Sequence, residues 1–171
     1  MKIPTTEECY KLWDEYEMPE NIRQHSLQVN KVAMIIAKKL KEKGEKIDLD
    51  LVNAGSLLHD LDKIETLNDI KRHGRQSEEW LKEKGHSKVG LMARKHIIEH
   101  LADDPDPGWE EKIINYADKR VLNDKIVSLD ERFDYLRGKY PGYHKKWHED
   151  TMKKWEKEIF EKLDIEPRDI R

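Results

Sequence analysis

The chain has a single cysteine among its 171 residues, no long hydrophobic run and no large excess of charge of either sign. One cysteine, Cys9, excludes an intramolecular disulfide and agrees with a reducing compartment. The longest uninterrupted apolar run is Val32–Ala37, which is far shorter than the roughly 20 residues that span a bilayer. The charged N-terminal segment does not resemble a secretory signal. We therefore expect a cytoplasmic protein that does not associate with membranes.

Charged residues make up 40% of the chain, yet the 33 basic and 36 acidic side chains nearly cancel. A chain with this balance has no overall field that would attract nucleic acid. We therefore expect a small-molecule partner and no nucleic acid. The sequence does not indicate an oligomeric state.

Apolar residues recur at the spacing of helix faces, and no segment shows the alternation with β-branched enrichment that is typical of strands. Two capping-box pairs indicate helix starts, Thr5 with Glu8 and Ser128 with Glu131. Ser87 is a further candidate helix cap. These patterns predict an all-α bundle.

The length of the chain fits one domain with a substantial core. We expect this single domain to cover residues 1–171. A last helix is predicted over about 141–163, because Trp155, Ile159 and Leu163 are spaced for one helix face.

Two adjacent metal-binding side chains, His59 and Asp60, follow the apolar helical run 51–58. A helix that delivers both side chains out of a hydrophobic stretch can place them at one buried polar site. A nitrogen and an oxygen ligand together suit a divalent metal.

Two further polar residues are predicted to turn towards the core. His25 shares a helix face with Val29 and Ile36, and Asp118 shares one with Ile114. Buried imidazoles and carboxylates are costly unless they are paired or coordinated. Together with the His-Asp pair, they point to one shared cation.

At these residues the chain resembles the HD-domain superfamily of metal-dependent phosphohydrolases, whose pattern is a His, a His-Asp pair and a distant Asp. His25, His59, Asp60 and Asp118 match that pattern in order. The resemblance extends over about residues 19–137 and implies an HD-domain helical bundle. It also implies hydrolysis of a small phosphate ester, in particular a nucleotide.

The resemblance raises the question of a second metal. His73 and His96 fall where dinuclear HD subfamilies place ligands for a second ion, and Asp60 would then bridge the two ions. His100, one turn beyond His96, is the alternative candidate for this ligand. The fourth residue of the HD motif is Asp62, where many relatives have glycine. The Asp62 carboxylate either contacts a metal-ligating side chain without binding the metal itself, or faces solvent.

A divalent metal activates water and neutralises phosphate oxygens in such enzymes. The resemblance implies catalytic roles for Asp60 and Lys63, since the Lys63 ammonium, one turn from Asp60, could reach a substrate phosphate. Arg94, Lys95 and Arg120 flank the implied ligands and are further candidates for phosphate contacts.

Two alternatives to a phosphohydrolase remain open. Some HD relatives cleave a carbon bond with oxygen at a di-iron centre, and the same ligands would serve that chemistry. A catalytically silent module that binds metal or nucleotide is the second alternative. The resemblance implies a cofactor of one or two divalent ions, whose identity stays open because His and Asp ligands accept Mn, Fe, Co, Ni, Zn or Mg.

Overall fold

A computed structural model describes residues 2–69, 71–101, 107–142 and 145–171. These residues form a helical structure, which confirms the all-α prediction. The α-helices are α1 (Thr6–Glu15), α2 (Glu20–Glu42), α3 (Leu49–Leu58), α4 (Arg75–Glu83), α5 (Ser87–Lys95), α6 (Trp109–Lys119), α7 (Leu129–Lys139) and α8 (Lys146–Phe160). Short 3-10 helices cover Ile98–Leu101 and Pro167–Asp169.

Both predicted capping boxes are confirmed. The Thr5 hydroxyl accepts a hydrogen bond from the Glu8 backbone N–H at 3.2 Å, and the Glu8 carboxylate accepts one from the Thr5 N–H at 2.8 Å. Ser128 and Glu131 make the same reciprocal pair at the start of α7. The predicted cap at Ser87 is wrong, because Ser87 is the first residue of α5 and makes no side-chain cap.

Helix α2 lies at the centre of the fold and packs against α3 and α6. The predicted face of α2 is confirmed, since Val29, Val32 and Ile36 are fully buried. They belong to an apolar core that also includes residues of α6, α7 and α8, whereas a second core joins α1, α3, α4 and α5. Helices α3 and α6 contribute residues to both cores, and His59 and Asp118 lie at the C-terminal ends of these two helices.

Two glycines allow the close helix contacts that position these ends. A Cβ on Gly55 in α3 would lie 2.7 Å from the Ile114 Cδ1 atom. Gly74, which precedes α4, has a φ of +78°, and its Cβ would lie 2.9 Å from the Ala93 carbonyl oxygen. Larger residues would be strained at Gly74 because positive φ and lack of space act together. The start of α4 can therefore approach the end of α5.

A short antiparallel hairpin, β1 (Val121–Leu122) and β2 (Lys125–Ile126), follows α6. The sequence pattern did not predict it, because two-residue strands are too short to show alternation. The last long helix begins at Lys146 and ends at Phe160, inside the predicted range of about 141–163. Tyr143 and His144 of that range lie outside the described residues. None of the helices described is long and apolar enough to cross a membrane.

Candidate metal centre

Six buried His and Asp residues meet where α2, α3, α5 and α6 converge. They form two groups of three, and within each group one ligand atom per residue lies within 4.8 Å of the others. The first group is His25, His59 and Asp118, and the second group is Asp60, His73 and His96. These are the six residues that the sequence analysis predicted as metal ligands.

The first group is carried by long helices of the core. His25 lies in α2, and His59 directly follows the last residue of α3. Asp118 is the penultimate residue of α6. The His25 Nε2 atom lies 3.1 Å from Asp118 Oδ1, and the His59 Nε2 atom lies 3.8 Å from that oxygen.

The Asp60 carboxylate lies between the two groups. Its Oδ1 atom is 3.1 Å from His73 Nε2 and 3.5 Å from His96 Nε2. Its Oδ2 atom is 3.6 Å from His59 Nε2 and 3.9 Å from His25 Nε2. Each oxygen of one carboxylate therefore faces a different group, as a bridging ligand would.

All four imidazoles are oriented by an oxygen acceptor behind them. The Nδ1 atoms of His25 and His59 lie 2.8 Å and 2.7 Å from the backbone carbonyls of Asn123 and Ser56. The Nδ1 atom of His96 contacts the Ala93 carbonyl, and His73 Nδ1 lies 2.8 Å from Asp62 Oδ1. Because a carbonyl or carboxylate oxygen accepts, each Nδ1 donates its proton. In a neutral ring held in this way, the Nε2 lone pair points into the centre.

This arrangement fits divalent cations. Nε2 lone pairs and carboxylate oxygens are both acceptors, so their close approach is unfavourable unless a cation or a proton lies between them. His59 Nε2 is buried and has no hydrogen-bond partner among the described residues. Nitrogen and oxygen donors of this kind suit first-row divalent metals. The two groups therefore could each hold one ion.

Burial and charge act differently on the donors. Burial acts to lower the pKa of His73, but its contacts with Asp60 and Asp62 together outweigh burial and raise it. Burial lowers the pKa of His59 to about 3 and also lowers the pKa of His96, so both rings are neutral. Burial acts to raise the pKa of Asp60, but the charge of Lys63 and the contacts with the surrounding imidazoles together outweigh burial and hold this pKa well below the ordinary value. Burial likewise acts to raise the pKa of Asp118, but the charge of Lys119 and the contacts with His25 and His59 together outweigh burial and hold this pKa well below the ordinary value.

Asp62 supports the second group from behind. Its carboxylate is fully buried and accepts from His73 through one oxygen. The other oxygen accepts from the backbone N–H groups of Gly74 and Ser77, at 2.8 Å and 3.0 Å, at the start of α4. One side chain thus orients His73 and fixes the N-terminus of the following helix. Of the two alternatives for Asp62, the structure places it behind a ligand and away from solvent.

Two lysines contact the carboxylates of the centre. Lys63 Nζ lies 3.2 Å from both oxygens of Asp60, and its side chain is 39% exposed, so it can be reached from solvent. Lys119 pairs with Asp118 through the outer oxygen of that carboxylate. Sequence reasoning selected Lys63 but missed Lys119, which directly follows a predicted ligand.

The other candidates from the sequence lie elsewhere. His100 lies in the 3-10 helix after α5 and is not in either group. Arg94 faces Glu78 at 3.4 Å, and Lys95 pairs with Glu111 at 2.5 Å. The Arg120 guanidinium is buried and donates to the carbonyls of Val127 and Pro167, at 2.6 Å and 3.0 Å. Arg120 therefore ties the C-terminal segment to the hairpin and is not free to contact phosphate.

Comparison with known proteins places this centre in a family. The model of the HD domain matches residues 22–129. The chain belongs to the HD-domain family. All six residues of the two groups lie inside the matched range of this HD domain, whereas α8 lies beyond it. HD domains are typically metal-dependent hydrolases, and the buried His and Asp groups fit metal binding.

A curated relative of this HD-domain chain comes from Methanocaldococcus jannaschii. It is an uncharacterized protein, MJ0778, which is 32% identical over 136 residues. The match covers 70% of the present chain and 79% of that protein. No solved structure matches the chain significantly.

Proposed function

We propose that this HD-domain protein is a dinuclear metal-dependent phosphohydrolase that acts on a nucleotide or another small phosphate ester. His25, His59 and Asp118 would hold the first ion, His73 and His96 the second, and Asp60 would bridge them. The observation that carries this proposal is the position of the Asp60 carboxylate, which directs one oxygen towards each group.

The residues of the centre have distinct roles in the proposed reaction. Divalent ions, when bound, supply an activated water and neutralise negative charge on the phosphate. The four histidines are held by their Nδ1 hydrogen bonds, so little reorganisation is needed during the reaction. Lys63, which is half-exposed and lies beside Asp60, would bind a phosphate oxygen of the substrate.

A small anionic substrate agrees with the overall charge of the chain. The near balance of 33 basic and 36 acidic residues gives no overall positive field that would attract a nucleic acid. Positive charge is instead found locally, on Lys63 and Lys119 at the carboxylates. A cytoplasmic location, which the single cysteine favours, would give the enzyme access to soluble nucleotides.

The first experiment is elemental analysis of the purified chain beside an Asp60→Ala variant, with phosphate release measured on nucleotides and on small esters. We expect about two ions per chain in the unaltered protein and a loss of both bound metal and activity in the variant. Asp69→Ala is the matched control, because Asp69 is exposed on the segment that follows the HD motif. The control should retain both ions and full activity.

The result also separates the alternatives. Two iron ions per chain, with oxygen consumption and no phosphate release, would indicate that the protein is a di-iron oxygenase and not a hydrolase. Full metal occupancy and tight nucleotide binding without turnover would indicate a silent binding module. One ion or fewer per chain, after metal has been supplied, would remove His73 and His96 as ligands.

A further inference from the structure

An open cavity of about 900 Å³ lies between α2, the hairpin, the first turn of α7, helix α8 and the C-terminal segment 167–171. Small-molecule sites commonly have volumes of about 300–1,000 Å³. None of the residues that line this cavity belongs to the two ligand groups of the metal centre. The hairpin contributes to both places, because the Asn123 carbonyl in its turn accepts from His25, whereas Lys125 and Ile126 of β2 line the cavity. The cavity is therefore large enough for a ligand and distinct from the metal centre.

Basic residues predominate around the cavity, although they do not in the chain as a whole. Of the sixteen lining residues, six are basic and three are acidic. The three acids already have partners within the chain. The pairs are Asp130 with Lys153 at 2.9 Å, Glu131 with the Ser128 hydroxyl at 2.7 Å, and Glu156 with the Tyr116 hydroxyl at 2.7 Å. The cavity therefore has an excess of positive charge in a chain whose formal net charge is -3 at pH 7.

Three of the basic residues, Lys31, Lys125 and Arg171, are exposed and come from separate parts of the chain, namely α2, β2 and the C-terminal segment. None of them forms an ion pair with a carboxylate of the residues that the structure describes. Arg168, by contrast, pairs with Glu166 at 2.8 Å. A single exposed lysine is ordinarily solvated, but three cations that line one cavity add their fields. A phosphate monoester, with about two negative charges at pH 7, is a group that suits this field.

Gln28 lies one turn before Lys31 on α2 and also lines the cavity. Its Oε1 atom is buried and accepts no hydrogen bond from any residue within the described ranges. A buried acceptor without a donor is unfavourable, and a hydroxyl group of a bound ligand would supply that donor. Because residues three apart on a helix are neighbours, this hydroxyl would lie beside the group that Lys31 binds. The cavity therefore suits a ligand with a hydroxyl near its phosphate.

The walls of the cavity are held in place by the chain itself. The buried Arg120 guanidinium donates to the carbonyls of Val127 and Pro167, at 2.6 Å and 3.0 Å, and both of these residues line the cavity. Leu129 and Ile170 are buried in the core and add an apolar part to the lining. A preformed site binds more tightly because little ordering is needed. Its apolar part would pack against the carbon body of the ligand.

We propose that this cavity binds a small phosphorylated compound whose body carries a hydroxyl group. Lys31, Lys125 and Arg171 surround the phosphate, and Gln28 accepts a hydrogen bond from the hydroxyl. The volume accommodates a nucleoside phosphate or a sugar phosphate, which share this chemistry. The site is additional to the metal centre, and the inference does not depend on the proposed reaction.

The first test uses the unaltered, metal-loaded protein, and its readout is specific to each lysine. An acetylating ester modifies exposed amines, and mass spectrometry gives the rate at every lysine. The probe is α,β-methylene-ADP, whose two phosphorus atoms are joined by carbon. At about ten times its dissociation constant, the probe should slow acetylation of Lys31 and Lys125 roughly tenfold. Lys38, which is exposed on α2 and does not line the cavity, should react as before.

The same experiment shows where the probe binds. Protection of Lys31 and Lys125, with or without Lys63, supports the cavity as a site. Protection of Lys63 alone would place the probe only at the metal centre and overturn this inference. A protein that shows the cavity protection but releases no phosphate from esters keeps this site and loses the proposed function. A protein that releases phosphate without cavity protection does the reverse.

Lys31→Gln and Lys125→Gln test the cations one at a time, with Lys38→Gln as the matched control on α2. The concentration of probe that half-protects Lys125 should rise about three- to tenfold in Lys31→Gln, and that for Lys31 should rise equally in Lys125→Gln. Neither concentration should change in Lys38→Gln. The three substitutions are at exposed residues that are not metal ligands, so metal content and phosphate release should stay unchanged. Half-protection at the original concentration in both cavity variants would contradict the proposed contacts.

Three further probes identify the class of ligand. Ribose 5-phosphate should protect the two lysines, and Gln28→Met should weaken its binding about three- to tenfold without changing that of inorganic phosphate. Tighter binding of α,β-methylene-ADP than of ribose 5-phosphate would identify a nucleoside phosphate, and equal binding would identify a sugar phosphate. Equal protection by sulfate at the same concentration would show a general attraction of anions, and the proposed site would then be refuted.

Discussion

The two ligand groups of the centre are built in different ways. The first group, His25, His59 and Asp118, comes from core helices, and its two imidazoles donate to backbone carbonyls. The second group has His73 in the irregular segment between α3 and α4, and this imidazole donates to the side chain of Asp62. The first group is thus fixed by backbone packing and the second in part by one carboxylate.

This difference predicts unequal metal sites. The Ser56 carbonyl belongs to α3 and the Asn123 carbonyl to the hairpin turn, and no substitution of a side chain removes either acceptor. A site that depends on a side chain in a connecting segment opens more easily. We expect the ion of the first group to be retained longer than the ion of the second group when a chelator is added. The two sites can be separated by substituting one ligand in each.

The largest effect is expected for a ligand of the first group. His59→Ala removes a fully buried imidazole whose Nε2 atom lies 3.6 Å from Asp60 Oδ2 and 3.8 Å from Asp118 Oδ1, so a buried pair of carboxylates loses the donor beside it. We expect fewer than about one ion per chain and a fall in kcat of about a thousandfold or more. His73→Ala should retain about one ion, because the first group stays complete.

Elemental analysis and the melting temperature with and without a chelator measure this difference. His86→Ala is the control, since His86 lies outside both groups and its Nδ1 bonds the Lys2 carbonyl. Metal that stabilises only the folded protein raises its melting temperature, so the chelator should lower that of His73→Ala more than that of His59→Ala. Equal metal loss in the two variants would show that the sites are not independent.

A smaller effect is expected when the support of the second group is altered. In Asp62→Asn the amide oxygen can still accept from Gly74 and Ser77, but the amide NH2 then faces His73 Nδ1. Because two donors cannot bond, His73 would shift its proton to Nε2 and lose the lone pair that faces the second ion.

We expect second-ion affinity about 10- to 100-fold weaker in Asp62→Asn, with the first ion retained. A calorimetric titration of the metal-free protein with metal measures the affinities of the two sites separately. Asp69→Asn, on the exposed part of the same segment, is the control and should bind both ions normally. Weakening of the first ion instead of the second would contradict the assignment of Asp62 to His73.

The first group could be selected from the sequence because its residues lie on helix faces. His25 shares its helix face with Val29 and Ile36, which are both fully buried. The helical periodicity alone therefore predicted that His25 faces the core. His73 could be selected only through the family resemblance, since the segment around it has no helical period. The hairpin carbonyl of Asn123 that orients His25 comes from a turn 98 residues away in the chain, and no local pattern links the two.

The roles of polar side chains were the least predictable part of the site. Arg120 lies two residues after Asp118, but only the structure shows that its guanidinium donates to the Val127 carbonyl. Asp62 could face either way, because its partners Gly74 and Ser77 are 12 and 15 residues later. Such roles depend on which backbone groups approach in three dimensions.

The smallest effect is expected for Thr66, which stands behind His73 beside Asp62. The Thr66 hydroxyl donates to the Asp62 carbonyl at 2.9 Å and lies 3.3 Å from His73 Nδ1, a longer contact than the 2.8 Å to the Asp62 carboxylate. In Thr66→Val the Asp62 carbonyl keeps the Thr66 backbone N–H as donor at 3.0 Å. The main orientation of His73 is therefore preserved.

We expect Thr66→Val to lower the free energy of unfolding by about 1 kcal/mol. The affinity for the second ion should weaken by less than about threefold, measured in the same metal titration. Thr66→Ser keeps the hydroxyl and should bind metal as the unaltered protein does. If Thr66→Val weakened the second ion as much as Asp62→Asn, the hydroxyl would be an equal support of His73, and the second group would depend on two side chains instead of one.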